Sequence, residues 1–246
     1  MKNLTEEFYD KIAQKYQWFL SSWDNIMDRQ LKMLIPVLNE NNVKTILDCA
    51  CGTGLQTIGL KKSGYQIIGS DLSTGMLEKA NQNANEENLK IQFVKSDFRE
   101  LSKKIPEKFD AVICLGNAIS HLMNNKDLSD ALGNIYEKVN DNGIAIFEMR
   151  DFDAMLKDKN RFQPMRINDV KDNKSVSVFF VYDYLEKSIM FNVIYLIHDL
   201  LSGEKLMEVE SVEYNAVLKE NFIKLLMDSK FKDVKIDENG YYIAHR

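Results

Sequence analysis

The sequence predicts an α/β fold, and three observations carry that prediction. From Lys44 to about Asp153, short apolar runs alternate with longer amphipathic stretches, as in a parallel sheet covered by helices on both faces. Gly52 and Gly54 stand where the first strand should end and the first core helix begin. Beyond Val176 the alternation gives way to long aromatic and β-branched runs, which read as an antiparallel meander. The chain has 246 residues, 45% hydrophobic and 28% charged, enough for one domain with an insertion or two small ones and unlike a disordered chain.

Each element has a local reason. Residues 45–49 (TILDC) form a short β-branched run bounded by polar residues, a first strand. Residues 54–62 read as a helix and 66–70 as a second strand. Residues 73–85 form a helix in which Ser73 is a ready N-cap and Met76, Leu77, Ala80 and Ala84 share one face. Strands follow at 91–95 and 109–115, a helix at 128–139 and a fifth strand at 143–149. The meander takes 176–184, 189–198 and 206–214, with turn signals at Glu186-Lys187 and Ser202-Gly203. A helix at 218–229 and a hairpin at 231–236 and 241–245 close the chain. Residues 1–39 read as mostly amphipathic helix, with Phe8, Ile12, Tyr16, Phe19 and Trp23 at helical spacing. That stripe is either a packed helix face or a lid over a ligand.

Composition excludes some function classes. Lys plus Arg is 32 against 37 Asp plus Glu, a net charge of -5, whereas nucleic-acid binders usually carry a basic excess. No apolar run approaches the roughly 18 residues that a membrane span needs. The start, MKNLTEEFYDK, is too acidic and too broken for a signal peptide. Three cysteines cannot all pair within the chain, and low Cys usage without a signal points to a reducing cytoplasm. Cys49-x-Cys51, even joined by Cys114 and His121, is a poor zinc set, because one cysteine alternates into the sheet while the other sits in the glycine turn. The expectation is no metal, with the thiols packing as small apolar groups.

The strongest local signal is Leu47-Asp48-Cys49-Ala50-Cys51-Gly52-Thr53-Gly54. Two glycines there allow a tight turn and close approach of a ligand to the backbone, and the following helix adds free N–H groups and a positive dipole end. A dinucleotide fingerprint needs a third glycine where Thr57 stands, and no P-loop is present. Asp71 ends the second strand, about 20 residues on, where a carboxylate either accepts both ribose hydroxyls or caps a helix.

LDCACGTG followed by GSDLSTGML resembles the first motif and acidic loop of class I S-adenosylmethionine (SAM) methyltransferases. The resemblance implies a Rossmann-like, mostly parallel seven-stranded sheet with helices on both faces, plus an N-terminal helical lid and an inserted antiparallel meander. It divides the chain into a lid (1–40), a SAM-binding core (41–153), a substrate cap (154–215) and a C-terminal helix and hairpin completing the sheet (216–246). It assigns Asp48, Ala50, Gly52, Gly54, Asp71, Leu72, Met76, Ser96, Asp97, Phe98 and Leu115 to the cofactor. Asp97 would bond the adenine amino group, and Phe98 would lie near the ring.

No Asn/Asp-Pro-Pro-aromatic motif of base-directed methyltransferases follows the fourth strand. Instead ICLGNAISHL, with EMRDFD after the fifth strand, looks like the glycine and sarcosine N-methyltransferases. That likeness implies that Arg29 reaches the methionine carboxylate of SAM, that Tyr9 and either Trp18 or Trp23 close over it, and that Asn117, Arg150 and the meander tyrosine Tyr195 hold the acceptor. Independently, a guanidinium at the end of a buried strand needs an anionic partner. That partner is a carboxylate ligand or else a neighbour, Asp151, Asp153 or Glu148. His121 either accepts a proton or orients a loop, and no catalytic dyad is evident. The expected activity is methyl transfer from SAM to a small, carboxylate-bearing amine held in line by proximity. Its rivals are transfer to a heterocyclic nitrogen or a hydroxyl, SAM binding without transfer, and, weakest, a nicotinamide oxidoreductase. The expected partner is a small-molecule acceptor, with no nucleic acid and no membrane; oligomeric state is not legible.

Overall fold

The computed structural model describes residues 4–19, 22–171 and 173–246. Residues 1–3, 20 and 21 of the expected N-terminal helical segment lie outside the described residues. That segment is not one helix but α1 (Leu4–Ile12), a 3-10 helix (Ala13–Phe19) and α2 (Trp23–Glu40). Ser22 caps α2, its hydroxyl accepting from the Asn25 N–H. The break splits the aromatic stripe. Phe8 and Ile12 pack on the meander, while Trp23 turns with α2 toward Met27, Leu55 and Ile58.

The core follows the predicted alternation: β1 (Thr45–Asp48), α3 (Leu55–Lys62), β2 (Gln66–Asp71), α4 (Thr74–Glu86), β3 (Gln92–Lys95), β4 (Phe109–Cys114), α5 (Asn125–Lys138) and β5 (Val139–Phe147). Then come α6 (Phe152–Asp158), β6 (Phe162–Lys171), β7 (Lys174–Tyr184), β8 (Ser188–Asp199), β9 (Lys205–Asn215), α7 (Lys219–Asp228), β10 (Lys232–Ile236) and β11 (Tyr242–His245). A seven-stranded sheet runs β10-β11-β5-β4-β1-β2-β3. Its β1 to β5 pairings are parallel, and the C-terminal hairpin adds β11 antiparallel to β5. Both faces are buried. Ile46, Ile113 and Ile144 face Leu34 and Leu38 of α2, while Leu47, Val112 and Ala145 face Leu128 and Leu132 of α5. Each fully buried Ile or Leu contributes about 1.5–3 kcal/mol.

The second sheet has four strands, β6-β7-β8-β9, not the three that the turn signals predict. β6 escapes sequence reading because it carries Pro164, lies at the edge and slips register twice against β7. The inner face of this sheet packs under α1 and the 3-10 helix. Phe8 lies edge-on to Phe191 and Phe19 edge-on to Phe180. Lys11 and Lys15 form ion pairs with Glu210 and Glu208 of β9.

Candidate active site

The carboxyl ends of β1, β2 and β4 open into a cavity of about 460 Å³. Its floor is the glycine turn, with Ala50, Cys51, Gly52 and Thr53 all on the wall. Gly52 and Gly54 have φ of 52° and 86°, and a Cβ on Gly54 would lie 3.2 Å from the Ala80 Cβ. The turn therefore needs glycine for conformation and, at Gly54, for the close approach of α4. Asp48 lies behind the turn, buried, and accepts from the Thr57 hydroxyl at 2.7 Å. Burial pushes its pKa up to about 7, against the pull of the Thr57 and Ala50 hydrogen bonds. Thr57, where a dinucleotide fingerprint has its third glycine, thus ties strand to helix.

Asp71 lines the cavity and stitches its two loops together. One carboxylate oxygen accepts from the Gly52 N–H at 2.8 Å and the other from the Ser73 N–H at 2.9 Å. Burial raises its pKa despite these N–H donors. Leu72, Met76, Asp97, Phe98 and Leu115 complete the predicted wall. Ser96 is buried just behind it, its hydroxyl donating to the Asp97 carbonyl at 3.2 Å. Asp97 is already engaged: Arg99 grips its carboxylate at 2.6 Å and reaches Asp127 at 3.1 Å.

The N-terminal segment roofs the cavity through Tyr9 and Tyr16, with Ile26 and Gln30 of α2 at its side. Asp10 pins α1 to the start of α4, accepting from the Ser73 hydroxyl at 2.6 Å and the Gly75 N–H at 2.9 Å. The Tyr9 hydroxyl meets His121 Nε2 at 2.9 Å. Burial lowers the His121 pKa to about 4 and raises that of Tyr16 to about 12, so both are neutral near pH 7.

Four expected contacts fall elsewhere. Arg29 is exposed, because Ile26 and Gln30 share the cavity-facing side of α2 and the next position is rotated by about 100°. Trp23 sits in the α2–α3 core, and Trp18 packs edge-on to Tyr195. Tyr195 is fully buried, stacked on Phe19. It lies six residues along β8 from Ile189, the partner of Tyr214, hence about 20 Å away along the strand.

The tyrosine that does meet Asn117 and Arg150 is Tyr214. Its hydroxyl interacts with both side chains, which pull its pKa down against a larger upward push from burial. Asn117 adopts φ 67° at the end of β4, and its Oδ1 accepts from the Arg150 N–H at 3.0 Å and the Ser120 hydroxyl at 3.1 Å. The Arg150 guanidinium lies 5.6 Å and 5.5 Å from the ring centres of Tyr182 and Phe191. The three carboxylates that could have neutralised it act elsewhere. Asp151 pairs with Lys219, Asp153 accepts from the Lys219 N–H, and Glu148 accepts from the Gly116 N–H. Among the described residues Arg150 forms no ion pair, and Arg150 Nε and Asn117 Nδ2 are buried donors without a hydrogen-bond partner. Tyr214, Tyr182 and Phe191 carry no local motif. Their alternation along the meander strands was the one signal of a shared inner face.

Among the described residues no group of three or more His, Cys, Asp or Glu could hold a metal, and no helix is long and apolar enough to cross a membrane. Cys49, Cys51 and Cys114 are free thiols.

The parallel sheet with a cavity at its strand ends is the fold of class I methyltransferases, and the family model of the methyltransferase domain matches residues 46–143. More particularly, the chain is 34% identical over 152 residues to a glycine/sarcosine N-methyltransferase from Halorhodospira halochloris, a match covering 62% of this chain and 56% of that protein. The chain thus spans little more than half the length of that relative. In fold it resembles an S-adenosylmethionine-dependent methyltransferase from Clostridium acetobutylicum, with a TM-score of 0.74 at 21% identity over 96% of this chain and 98% of that one. A SAM-bound amino pentose methyltransferase from Micromonospora echinaspora aligns at a TM-score of 0.73 and 16% identity over 95% of each chain.

Proposed function

We propose that this chain transfers a methyl group from SAM to the nitrogen of a small amine that bears a carboxylate. The observation that carries the reading is the pair of buried, unpartnered donors Arg150 Nε and Asn117 Nδ2 beside the Tyr214 hydroxyl. A partly buried cationic fork with its Nε sealed from water and no counter-ion is costly to leave unmade, and a carboxylate satisfies it bidentately. A neutral heterocycle or an alcohol leaves it bare. In this reading residues 1–40 act as the lid, 41–153 as the cofactor core, 154–215 as the acceptor cap, and 216–246 complete the sheet. The thiols suit a reducing, cytoplasmic setting.

The cavity fits SAM on its own chemistry. Asp71, held by two backbone N–H groups, still has acceptor capacity for a ribose diol. Ala50, Gly52, Leu72, Met76, Phe98 and Leu115 would pack along the nucleoside, with Asp97 near the base, and Asp48 and Gly54 hold the turn. When bound, SAM supplies an electrophilic sulfonium methyl. The remaining work is positioning: Arg150, Asn117 and Tyr214 hold the acceptor, and Tyr9 and Tyr16 cover the cavity and exclude water.

His121 fits an orienting role. With a pKa near 4 it is a poor base for an ammonium proton, whereas its hydrogen bond fixes Tyr9. The acceptor amine therefore loses its proton to water before transfer, and the rate should rise with pH until the amine is neutral.

Calorimetric titration with SAM and S-adenosylhomocysteine, followed by a transfer screen over glycine, sarcosine, other small amino acids and heterocyclic amines, tests this. Transfer to a carboxylate amine that collapses in Arg150→Ala is expected. Transfer confined to uncharged acceptors would sink the substrate reading, and binding without any transfer would leave a SAM-binding protein.

A further inference from the structure

We infer that the outer face of the second sheet is a self-complementary contact surface on which a second copy of this chain docks. The inner face is covered by α1 and the 3-10 helix, but no element of the chain covers the outer one among the described residues. Directly opposed residues of antiparallel strands share a face. The register therefore lines up Pro164, Phe179, Ile194 and Val209 as one apolar row across β6 to β9. Phe162 stacks on Phe179 beside it, with ring centres 5.2 Å apart. Leu196 opposes Met207 in the next row. Exposures of 65% for Met207, 53% for Phe162, 48% for Val209 and 41% for Leu196 are high for large apolar side chains gathered in one patch.

Charge indicates the occupant. The same outer parity places Glu213 and Lys205 on β9, each four residues from Val209 and on opposite sides of it. Glu213 lies in the row of Asp183 and Met190; Lys205 lies in the row of His198 and Ser175. A two-fold axis along the apolar row lays that row on itself. It also reverses β9, so that Lys205 of each copy meets Glu213 of the other. A face with an apolar centre and opposite charges equidistant from it complements itself, as an isologous interface requires. Four strands at about 4.8 Å and eight residues at about 3.4 Å give a face of roughly 19 by 27 Å, so two copies bury on the order of 1,000 Å², the lower bound for a specific interface.

Sedimentation of the full chain from about 1 to 100 μM, the range in which an interface of this size reports its dissociation constant, tests the inference. A species of twice the 28.5 kDa chain mass is expected. Val209→Glu and Ile194→Glu, both in the row that lies on itself, should each weaken it at least about 30-fold, as loss of a central contact does. Lys205→Glu and Glu213→Lys should each weaken it by about 3- to 10-fold, and the double swap should restore it. The double swap keeps the test valid if a single variant misfolds, which far-ultraviolet circular dichroism reports. A single-mass monomer throughout the range would overturn the proposal. So would a dimer indifferent to all four substitutions.

Discussion

The parallel core and the antiparallel second sheet contribute to the proposed site in different ways. In the core, the ligand surface is largely backbone: a turn with two positive-φ glycines, a helix N-terminus and one carboxylate that ties both loops. In the second sheet the proposed acceptor surface is side chain: Tyr214, Tyr182 and Phe191 from three strands gather around Arg150 and Asn117 of the core. Backbone sites are dictated locally and tolerate little variation. Side-chain sites depend on register and are open to changes of specificity.

Predictions that break this comparison run from the strongest to the mildest. Asp71→Ala removes an anchor of the turn and the ribose acceptor together. SAM affinity should fall roughly 100-fold or more, since hydrogen bonds to a charged group are worth about 1.5–3 kcal/mol each. A calorimetric constant within a few-fold of the parent would refute the backbone-site account. Arg150→Ala should cost about 100-fold in kcat/KM for a carboxylate acceptor while SAM binding holds, because it removes a buried charge-assisted pair. Equal losses in both would show that the two halves are not separable.

Tyr214→Phe against Tyr195→Phe sharpens the register argument. The first should raise KM for the acceptor roughly 10-fold, the value of one hydrogen bond near 1.4 kcal/mol. The second removes a hydroxyl buried without a partner and should leave KM within about 3-fold and stability unchanged or slightly higher. The reverse ranking would return the acceptor role to Tyr195. Gly54→Ala probes the turn by stability: a positive φ and a 3.2 Å approach to Ala80 should cost about 1–3 kcal/mol in urea unfolding.

The mildest effect is a change of pH dependence. Asp48 has its pKa raised from 3.8 to about 7 in the fold, so its contribution to stability is full below about pH 4 and is lost as pH rises from there through 7. His121 is shifted the other way, from 6.5 to about 4, so its contribution is present above 6.5 and lost as pH falls through 4. The two oppose each other between pH 4 and 6.5. Asp48→Asn should leave the His121 dependence alone, giving a stability that rises over that window and no longer declines toward pH 8. Denaturant midpoints at pH 4.5, 6 and 8 measure this, and a decline that persists in the variant would exclude Asp48 as its source.

The sequence by itself determined the core strands and helices, the C-terminal hairpin and the glycine turn, because each rests on neighbours within a few residues: hydrophobic period, caps and φ requirements. The same locality made Asp71 legible, whereas the rest of the cavity wall, Leu72, Met76, Asp97, Phe98 and Leu115, was implied by resemblance. Resemblance alone pointed to Asn117, resemblance and a separate charge argument pointed to Arg150, and the structure brought the two together. Only the tertiary structure decided what depends on rotation and register. Gln30 rather than Arg29 faces the cavity because of a helix phase, and Trp18 and Trp23 face away because a 3-10 turn interrupts the N-terminal helix. Tyr214 rather than Tyr195 reaches Arg150 because six residues of strand separate their rows. β6 stayed hidden because an edge strand with a proline and two register shifts carries no clean alternation. Long-range pairing selects among surfaces that local pattern leaves equivalent, and the grouping of Tyr214 with Arg150 and Asn117 is such a choice.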